Sequence, residues 1–330
     1  MQVIIQKKGS KVRRRAGTFE ISNMEETKKI SPLKVDGMML GAGVSITTDA
    51  IFLAIDHQID IIMVDGQGKV QGRVWSAKFG SISTIRKQQV FFASGIAGGS
   101  WLMQVLAHRL QGGMDLLKSL MRDRPAKRKQ LAQAIGRIQT LQDKISNEPP
   151  RPLDDELKSK LRGWEGAAGR TYFQALGQVV PEAYRFAKRS RRPSADMANC
   201  CLNYLYGMLY GQVELALIKA GIDPYIGVFH RDEYNRPVLV YDFIEKYRVW
   251  AEAVLLKLCF RKMLDPSMFS QRKGGLWLET EGKRITILAM NDFLNEVIQL
   301  NGKRRSRLVH LQEDAHGFAK IILEENEALP

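Results

Sequence analysis

The chain falls into two stretches with different hydrophobic rhythm. Over roughly the first 75 residues, apolar positions come in brief runs: Val3–Ile5, Val12–Arg15, Thr18–Ile21 and Val35–Leu40. Gly, Asn or Pro-containing turns break these runs, which predicts short strands. The segment "VSITTDAIFLAIDHQIDIIMVDGQGKVQGRV" adds an amphipathic helix over Thr48–His57, a buried strand over Ile59–Val64, a glycine turn and another strand. From about Ser81 the apolar period lengthens to that of a helix. Long helices are expected over Ile96–Met121, Lys127–Ile145, Leu153–Leu176, Ser194–Ala220, Arg248–Leu264 and Met290–Leu300. Pro149-Pro150-Arg151-Pro152 is a stiff break between two of them, because prolines cannot continue a helix. Between the last long helices, "GGLWLETEGKRITIL" reads as a hairpin.

These patterns predict an α+β chain. A small β-rich domain occupies residues 1–80, with a linker near residues 76–85, and a larger, mainly α-helical domain spans residues 81–330.

Composition changes the picture in one respect. With 330 residues, 45% hydrophobic and 26% charged, the chain is an ordinary globular protein. Its net charge of +15 is not ordinary and implies a polyanionic partner, nucleic acid or an acidic membrane surface. No helix pairs a lysine-rich face with an aromatic one, which argues against the membrane. The most apolar stretch, Val90–Leu106, is interrupted by Ser94, Gly95, Gly98, Gly99, Ser100 and Gln104. It falls short of the run of about 18 residues that a span needs. Cys200, Cys201 and Cys259 form neither a disulfide framework nor a zinc spacing, so a reduced cytoplasmic protein is expected.

Basic clusters recur at Lys7–Arg15, Arg122–Lys129, Arg185–Arg192 and Lys303–Arg307. One such run would be a solvated face. Clusters spread over both domains suit an extended track for double-stranded DNA, read through its phosphate backbone.

Two motifs mislead. "VFHRDEYNRPVLVYDF" resembles a kinase catalytic loop, but Asn235 follows Asp232 by three residues instead of five, and Ile244 stands where that motif needs Gly. Gly66-x-Gly68-x-x-x-Gly72 nearly matches a dinucleotide fingerprint, yet its third Gly comes late and a strand follows in place of a helix. His230 therefore needs another explanation.

In so basic a chain the carboxylates attract attention. Glu165 sits mid-helix in "LRGWEGAAGRTYF", among small residues that let a backbone or ligand approach. Asp242 and Glu245, three apart, would share one face of a helical turn. With His230 they make a set of oxygen and nitrogen donors that suits Mg²⁺ or Mn²⁺. A metal beside a DNA track points to phosphoryl transfer. The same residues also admit a structural reading, in which His230 is a satisfied loop residue and the acids pair with Lys246 and Arg248.

"WEGAAGRTYF", "PSADMANCCLNYLYGMLYGQVELALIKAGIDPYIGVFH" and "VLVYDFIEKYR" resemble, in order, three signature segments of the CRISPR-associated integrase family, the endonuclease that acquires new spacers. The β-rich start is similar to that family's N-terminal domain. The resemblance implies metal ligation by Glu165, His230 and Glu245, with Asp242 as the nearby second acid; some members carry Asp at the third position, so the choice between Glu245 and Asp242 stays open. It implies joining of prespacer 3′-hydroxyl ends to phosphodiesters of a CRISPR repeat, with Arg170, Arg248, Arg189, Arg191 and Arg192 on DNA. It further implies a homodimer, with the β-rich domain as its expected interface, and a small second adaptation protein as partner. Tyr172 and Tyr204 are placed at the site or in aromatic packing. Charge alone would also suit a non-enzymatic architectural DNA-binding protein; the Glu165, His230 and Glu245 set separates the two.

Overall fold

A computed structural model describes residues 2–35, 37–65, 70–74, 82–191, 193–230, 234, 236–272 and 274–324. The chain divides into two compact units, Met1–Gly80 and Ser81–Pro330.

The first unit contains β1 (Gln2–Ile5), β2 (Lys11–Arg15), β3 (Thr18–Ser22), β4 (Thr27–Ile30), β5 (Gly37–Leu40), β6 (Ser45–Ile46), α1 (Thr48–Asp56), β7 (Asp60–Val64) and β8 (Val70–Val74). One sheet has the order β1-β5-β7-β8, parallel except for β8; the other has the order β4-β3-β2-β6. Val12, Phe19, Met38, Leu53 and Ile61 are buried in the shared core. In β2 only Val12 is buried, so Lys11, Arg13, Arg14 and Arg15 all face solvent. The sequence pattern missed β4 and β6. Thr-Lys-Lys-Ile has too little apolar content to register as a strand, and β6 has only two residues. The glycine turn at 66–68 lies outside the described residues, as do positions 76–81 of the expected linker.

The second unit contains α2 (Ile82–Ser94), α3 (Ile96–Asp123), α4 (Arg128–Ser146), α5 (Asp155–Val179), α6 (Met197–Lys219), α7 (Val238–Phe243), a 3-10 turn over Ile244–Tyr247 and α8 (Arg248–Phe260). These are followed by β9 (Phe269–Arg272), β10 (Gly275–Leu278), α9 (Thr280–Asn295), β11 (Val297–Leu300), β12 (Lys303–Ser306) and α10 (Arg307–Glu324). Trp101 of α3 stacks on Phe318 of α10 with ring centroids 4.5 Å apart.

Three expectations need correction. The linker ends sooner than expected, because α2 starts at Ile82. The helix expected over Met290–Leu300 ends at Asn295; Val297–Leu300 instead pairs with Lys303–Ser306 around Asn301 and Gly302, whose φ values of 50° and 76° suit a tight hairpin turn. In "GGLWLETEGKRITIL" only Gly275–Leu278 is a strand. It pairs backward with Phe269–Arg272, Arg272 opposite Gly275, across a turn that contains Gly274 at φ 94°, and the remainder is α9.

Among the described residues no single helix is long and apolar enough to cross a membrane; α2 from Thr84 together with α3 passes that test only as a pair bent by 77°. The apolar side of α3 is buried in the unit's core.

Candidate active site

Three segments far apart in sequence bring Glu165, His230 and Glu245 to one cavity of about 210 Å³ in the second unit, which α3, α4, α6 and the stretch before α6 also line. The first is α5. Asp154 caps it by accepting from the Leu157 N–H at 2.7 Å, and Asp155 and Glu156 complement the helix dipole in its first turn. Farther along, α5 presents Arg162, Glu165, Gly169 and Tyr172 to the cavity. A Cβ added at Gly163 would meet nothing, and one at Gly166 or Gly169 would meet only the ends of Arg170 and Glu165. The small residues beside Glu165 are therefore not needed for internal packing. They leave the helix surface bare.

The second segment is the loop after α6, which Gly221 ends in the left-handed region with φ 80°. The buried Gln89 of α2 pins this loop, donating to the Asp223 carbonyl at 2.6 Å and accepting from the Asp223 N–H at 3.0 Å. Gly227 allows the loop to close on itself: a Cβ there would lie 2.8 Å from Val238 Cγ2 and 3.1 Å from the His230 carbonyl oxygen. The loop delivers His230, whose side chain is 43% exposed.

The third segment runs from α7 through the 3-10 turn into α8. Asp242, fully buried, accepts from the N–H groups of Val228, Phe229 and His230 at 2.8, 3.0 and 3.2 Å. Its Oδ1 also lies 2.5 Å from His230 Nδ1. A carboxylate at Nδ1 leaves the Nε2 lone pair free. Asp242 and Glu245 do not share a face, contrary to the helical-turn expectation. Asp242 holds the histidine loop from behind, and Glu245 lines the cavity. The change from α7 to a 3-10 turn between them alters the angular spacing.

The electrostatics of the cavity are dominated by Arg109, Arg162, Arg189, Arg191 and Arg248, which all line it. Arg248 Nε bonds Glu245 Oε1 at 2.6 Å, which realises one of the pairings foreseen for the structural reading. Burial lowers the Arg248 pKa, but Glu245, Tyr210 and Tyr206 together more than offset it and raise that pKa. Burial depresses the Arg189 pKa. Arg189 donates to Asn199 Oδ1 at 2.9 Å and to Asn203 Oδ1 at 2.5 Å, so the two asparagines of the middle signature segment aim the arginine loop. Burial first, and the charge of Glu245 second, push the Glu165 carboxyl above the ordinary glutamate range.

Of the sequence candidates, Glu165, His230, Glu245, Arg189, Arg191 and Arg248 meet in this cavity. Asp242 stands behind it, and exposed Arg170 lies outside its lining. Arg192, Arg231, Asp232 and Asn235 are outside the described residues. Tyr172 lines the cavity and Tyr204 does not. Sequence reasoning missed Arg109, Arg162 and Glu252. Arg109 sits among apolar residues of α3 where its period marks the buried face, the one available signal. Fully buried Glu252 of α8 is bound by Arg109 and by the hydroxyls of Tyr172 and Tyr206.

Among the described residues, no three His, Cys, Asp or Glu side chains are already gathered closely enough to hold a metal ion. The donor chemistry nevertheless fits one. Glu245 Oε2 is buried with no hydrogen-bond partner. Glu165 is desolvated beside a second carboxylate, a repulsion that a divalent cation relieves, and His230 offers Nε2.

An α+β chain with carboxylates, an imidazole and five arginines lining one cavity belongs, by class, with proteins that act on phosphodiesters. The family model of the CRISPR associated protein Cas1 matches residues 3–292, and the chain belongs to this family of endonucleases and integrases. Similar curated proteins include CRISPR-associated endonuclease Cas1 1 of Archaeoglobus fulgidus, 26% identical, with 84% of this chain and 83% of that one covered. Another is CRISPR-associated endonuclease Cas1 1 of Methanospirillum hungatei, 27% identical, with 99% and 98% covered. Among solved structures, a CAS1 protein from Thermotoga maritima superposes with a TM-score of 0.78 at 20% identity, covering 98% of this chain and 97% of that one. A chain of a Cas6-RT-Cas1–Cas2 complex gives 0.78 at 22% identity; this chain is 98% covered and spans 35% of that longer one. A casposase bound to integration product gives 0.75 at 17% identity, covering 99% and 92%. At these identities the likeness shows the shared fold.

Proposed function

We propose that this Cas1-family chain inserts prespacer DNA into a CRISPR array by attack of prespacer 3′-hydroxyls on repeat phosphodiesters. The observation that carries the reading is the meeting of Glu165, His230 and Glu245 with five arginines in one cavity. A purely architectural DNA-binding protein has no use for that set.

Glu165, His230 Nε2 and Glu245 would hold Mg²⁺ or Mn²⁺. Such an ion, when bound, polarises a phosphoryl oxygen and stabilises charge on the transferring phosphate. The chain's own residues supply the rest. Arg189, Arg191 and Arg162 bind the phosphate backbone, and Asp242 keeps His230 in one tautomer and orientation. In the joining step the prespacer 3′-oxygen forms a bond to phosphorus as the target strand's P–O3′ bond breaks. The departing 3′-oxygen gains a proton, so the number of phosphodiesters is conserved.

Each unit offers its own exposed basic residues to phosphates: those of β2 in the first, and those of the 122–129 and 185–191 segments and of β12 in the second. We assign the protein a homodimeric state through the β-rich unit, a small second adaptation protein as partner, and a cytoplasmic setting. The Cas6-RT-Cas1–Cas2 complex and the product-bound casposase among the fold neighbours support a Cas2-type partner and DNA. Three buried, free cysteines are in keeping with a reducing compartment.

The test is strand joining with labelled prespacer duplex, repeat-bearing plasmid and Mn²⁺. Glu165→Ala and His230→Ala are expected to abolish joining while the fold and most DNA affinity remain. Full joining by both variants would exclude this site.

A further inference from the structure

The Glu252 carboxylate is saturated. Its Oε1 accepts from Arg109 Nη2 at 2.5 Å and from the Tyr206 hydroxyl at 2.6 Å. Its Oε2 accepts from Arg109 Nη1 at 3.1 Å and from the Tyr172 hydroxyl at 2.6 Å. The residue has no exposed surface, so it is no cation ligand itself. Arg109 is nearly as buried, and both terminal nitrogens of its guanidinium are turned toward Glu252.

The remaining side of Arg109 faces the active site. Its Nε stands 3.9 Å from Glu245 Oε2, the buried oxygen that has no hydrogen-bond partner. Arg248 already occupies the other oxygen of Glu245. A guanidinium is a cation that bridges carboxylates well, and it is less costly to dehydrate than an ammonium. Released from Glu252, Arg109 would retain a buried positive charge in need of an anion. The nearest unsatisfied acceptor would be Glu245 Oε2.

We infer that Glu252 is a positioning residue that sequesters Arg109 and so keeps Glu245 open to a divalent cation. Bidentate capture, with a tyrosine hydroxyl on each oxygen, holds the guanidinium at the cavity wall with its Nε 3.9 Å from Glu245 Oε2, outside hydrogen-bond distance. Arg109 and the metal are thus alternative partners of the same carboxylate, and Glu252 decides between them. This inference rests on the metal reading of Glu165, His230 and Glu245.

The experiment is Mn²⁺ binding to the DNA-free, full-length protein, followed by electron paramagnetic resonance of free Mn²⁺, with no catalytic readout. Glu252→Gln keeps the shape but weakens the hold on Arg109. It is expected to lower Mn²⁺ affinity by about 10–100-fold, the usual effect of losing an outer-shell partner. A merely structural Glu252 would predict the same loss whatever stands at position 109. Sequestration instead predicts that the double variant Arg109→Gln/Glu252→Gln, which removes the competing charge, recovers most of the wild-type affinity. Wild-type affinity in Glu252→Gln, or a double variant that folds cooperatively yet binds as weakly as the single one, would overturn the inference. If Glu252→Gln does not fold, the double variant decides by the same criterion. Absence of Mn²⁺ binding to the wild type would instead remove the metal reading and this inference with it.

Discussion

His230 Nδ1 lies 2.5 Å from Asp242 Oδ1, and the same carboxylate accepts the backbone N–H groups of residues 228, 229 and 230. One buried side chain thus sets both the path of the loop and the tautomer of the imidazole. Asp242→Ala is expected to cost about 3–5 kcal/mol of unfolding free energy, the range for removing one partner from a buried charged network. Urea denaturation measures it. A loss below about 1 kcal/mol would mean that the loop is held by other contacts.

Gly227 makes a separate, steric contribution to the same loop. Gly227→Ala would place a methyl 2.8 Å from Val238 Cγ2 and against the His230 carbonyl. Overpacking of this kind costs about 1–3 kcal/mol. Because the displaced segment carries His230, joining activity is expected to fall more steeply than the thermal midpoint. Comparing both in one preparation checks this. Unchanged activity alongside a lowered midpoint would uncouple the loop from the site.

Glu165 gives a pH signature in metal-free protein. Its carboxyl titrates above the ordinary glutamate value, through burial and then Glu245, so the folded state binds this proton more tightly than the unfolded state. Its contribution is present below the unfolded carboxyl pKa and is lost as pH rises through the raised folded pKa. With EDTA present, stability is expected to decline over that window, and Glu165→Gln should flatten the decline. Denaturation midpoints at a series of pH values provide the comparison. Identical slopes for both proteins would show that Glu165 does not titrate there.

DNA affinity should follow the phosphate track. With exposed basic residues on β2, before α6 and on β12, log affinity is expected to fall linearly with log salt. The slope should be about −0.9 per neutralised phosphate. Charge reversal at Lys303, Arg304 and Arg305 should reduce the slope without changing sequence preference. Fluorescence anisotropy with a fixed duplex resolves this, and an affinity insensitive to salt would contradict the track.

Much of the candidate site is legible in the sequence, for identifiable reasons. Glu165 stood out because small residues surround a carboxylate mid-helix. His230 stood out because a Gly-capped helix and a Pro lead directly to it. That Glu245 lines the cavity while Asp242 lies behind it is not legible, since it depends on α7 tightening into a 3-10 turn between them. The Arg109–Glu252 pair was hidden for a different reason. Its members lie 143 residues apart on α3 and α8, and each reads locally as one charge on an amphipathic helix. In the fold, the first hairpin near the C-terminus is misplaced because "GGLW" pairs backward with Phe269–Arg272 and not forward with the residues after it, and the second is missed because Val297–Leu300 continues the helical period of α9. The β-rich start was clearer, except for the lysine-rich β4.

The source of the nucleophile bears most directly on the proposed function. Tyr172 and Tyr206 line the cavity, but each donates its hydroxyl to Glu252, and burial first, then Glu252, raises both pKa values. Neither is poised to attack phosphorus. The decisive measurement is strand joining by the wild-type protein with prespacer duplexes identical except for a 3′-hydroxyl or a 3′-deoxy end, resolved on a denaturing gel. The expected result is joined product from the 3′-hydroxyl duplex, none from the 3′-deoxy duplex at equal binding, and no protein-linked DNA in either lane. Joining of the 3′-deoxy duplex, or a protein–DNA adduct that survives denaturation, would contradict it.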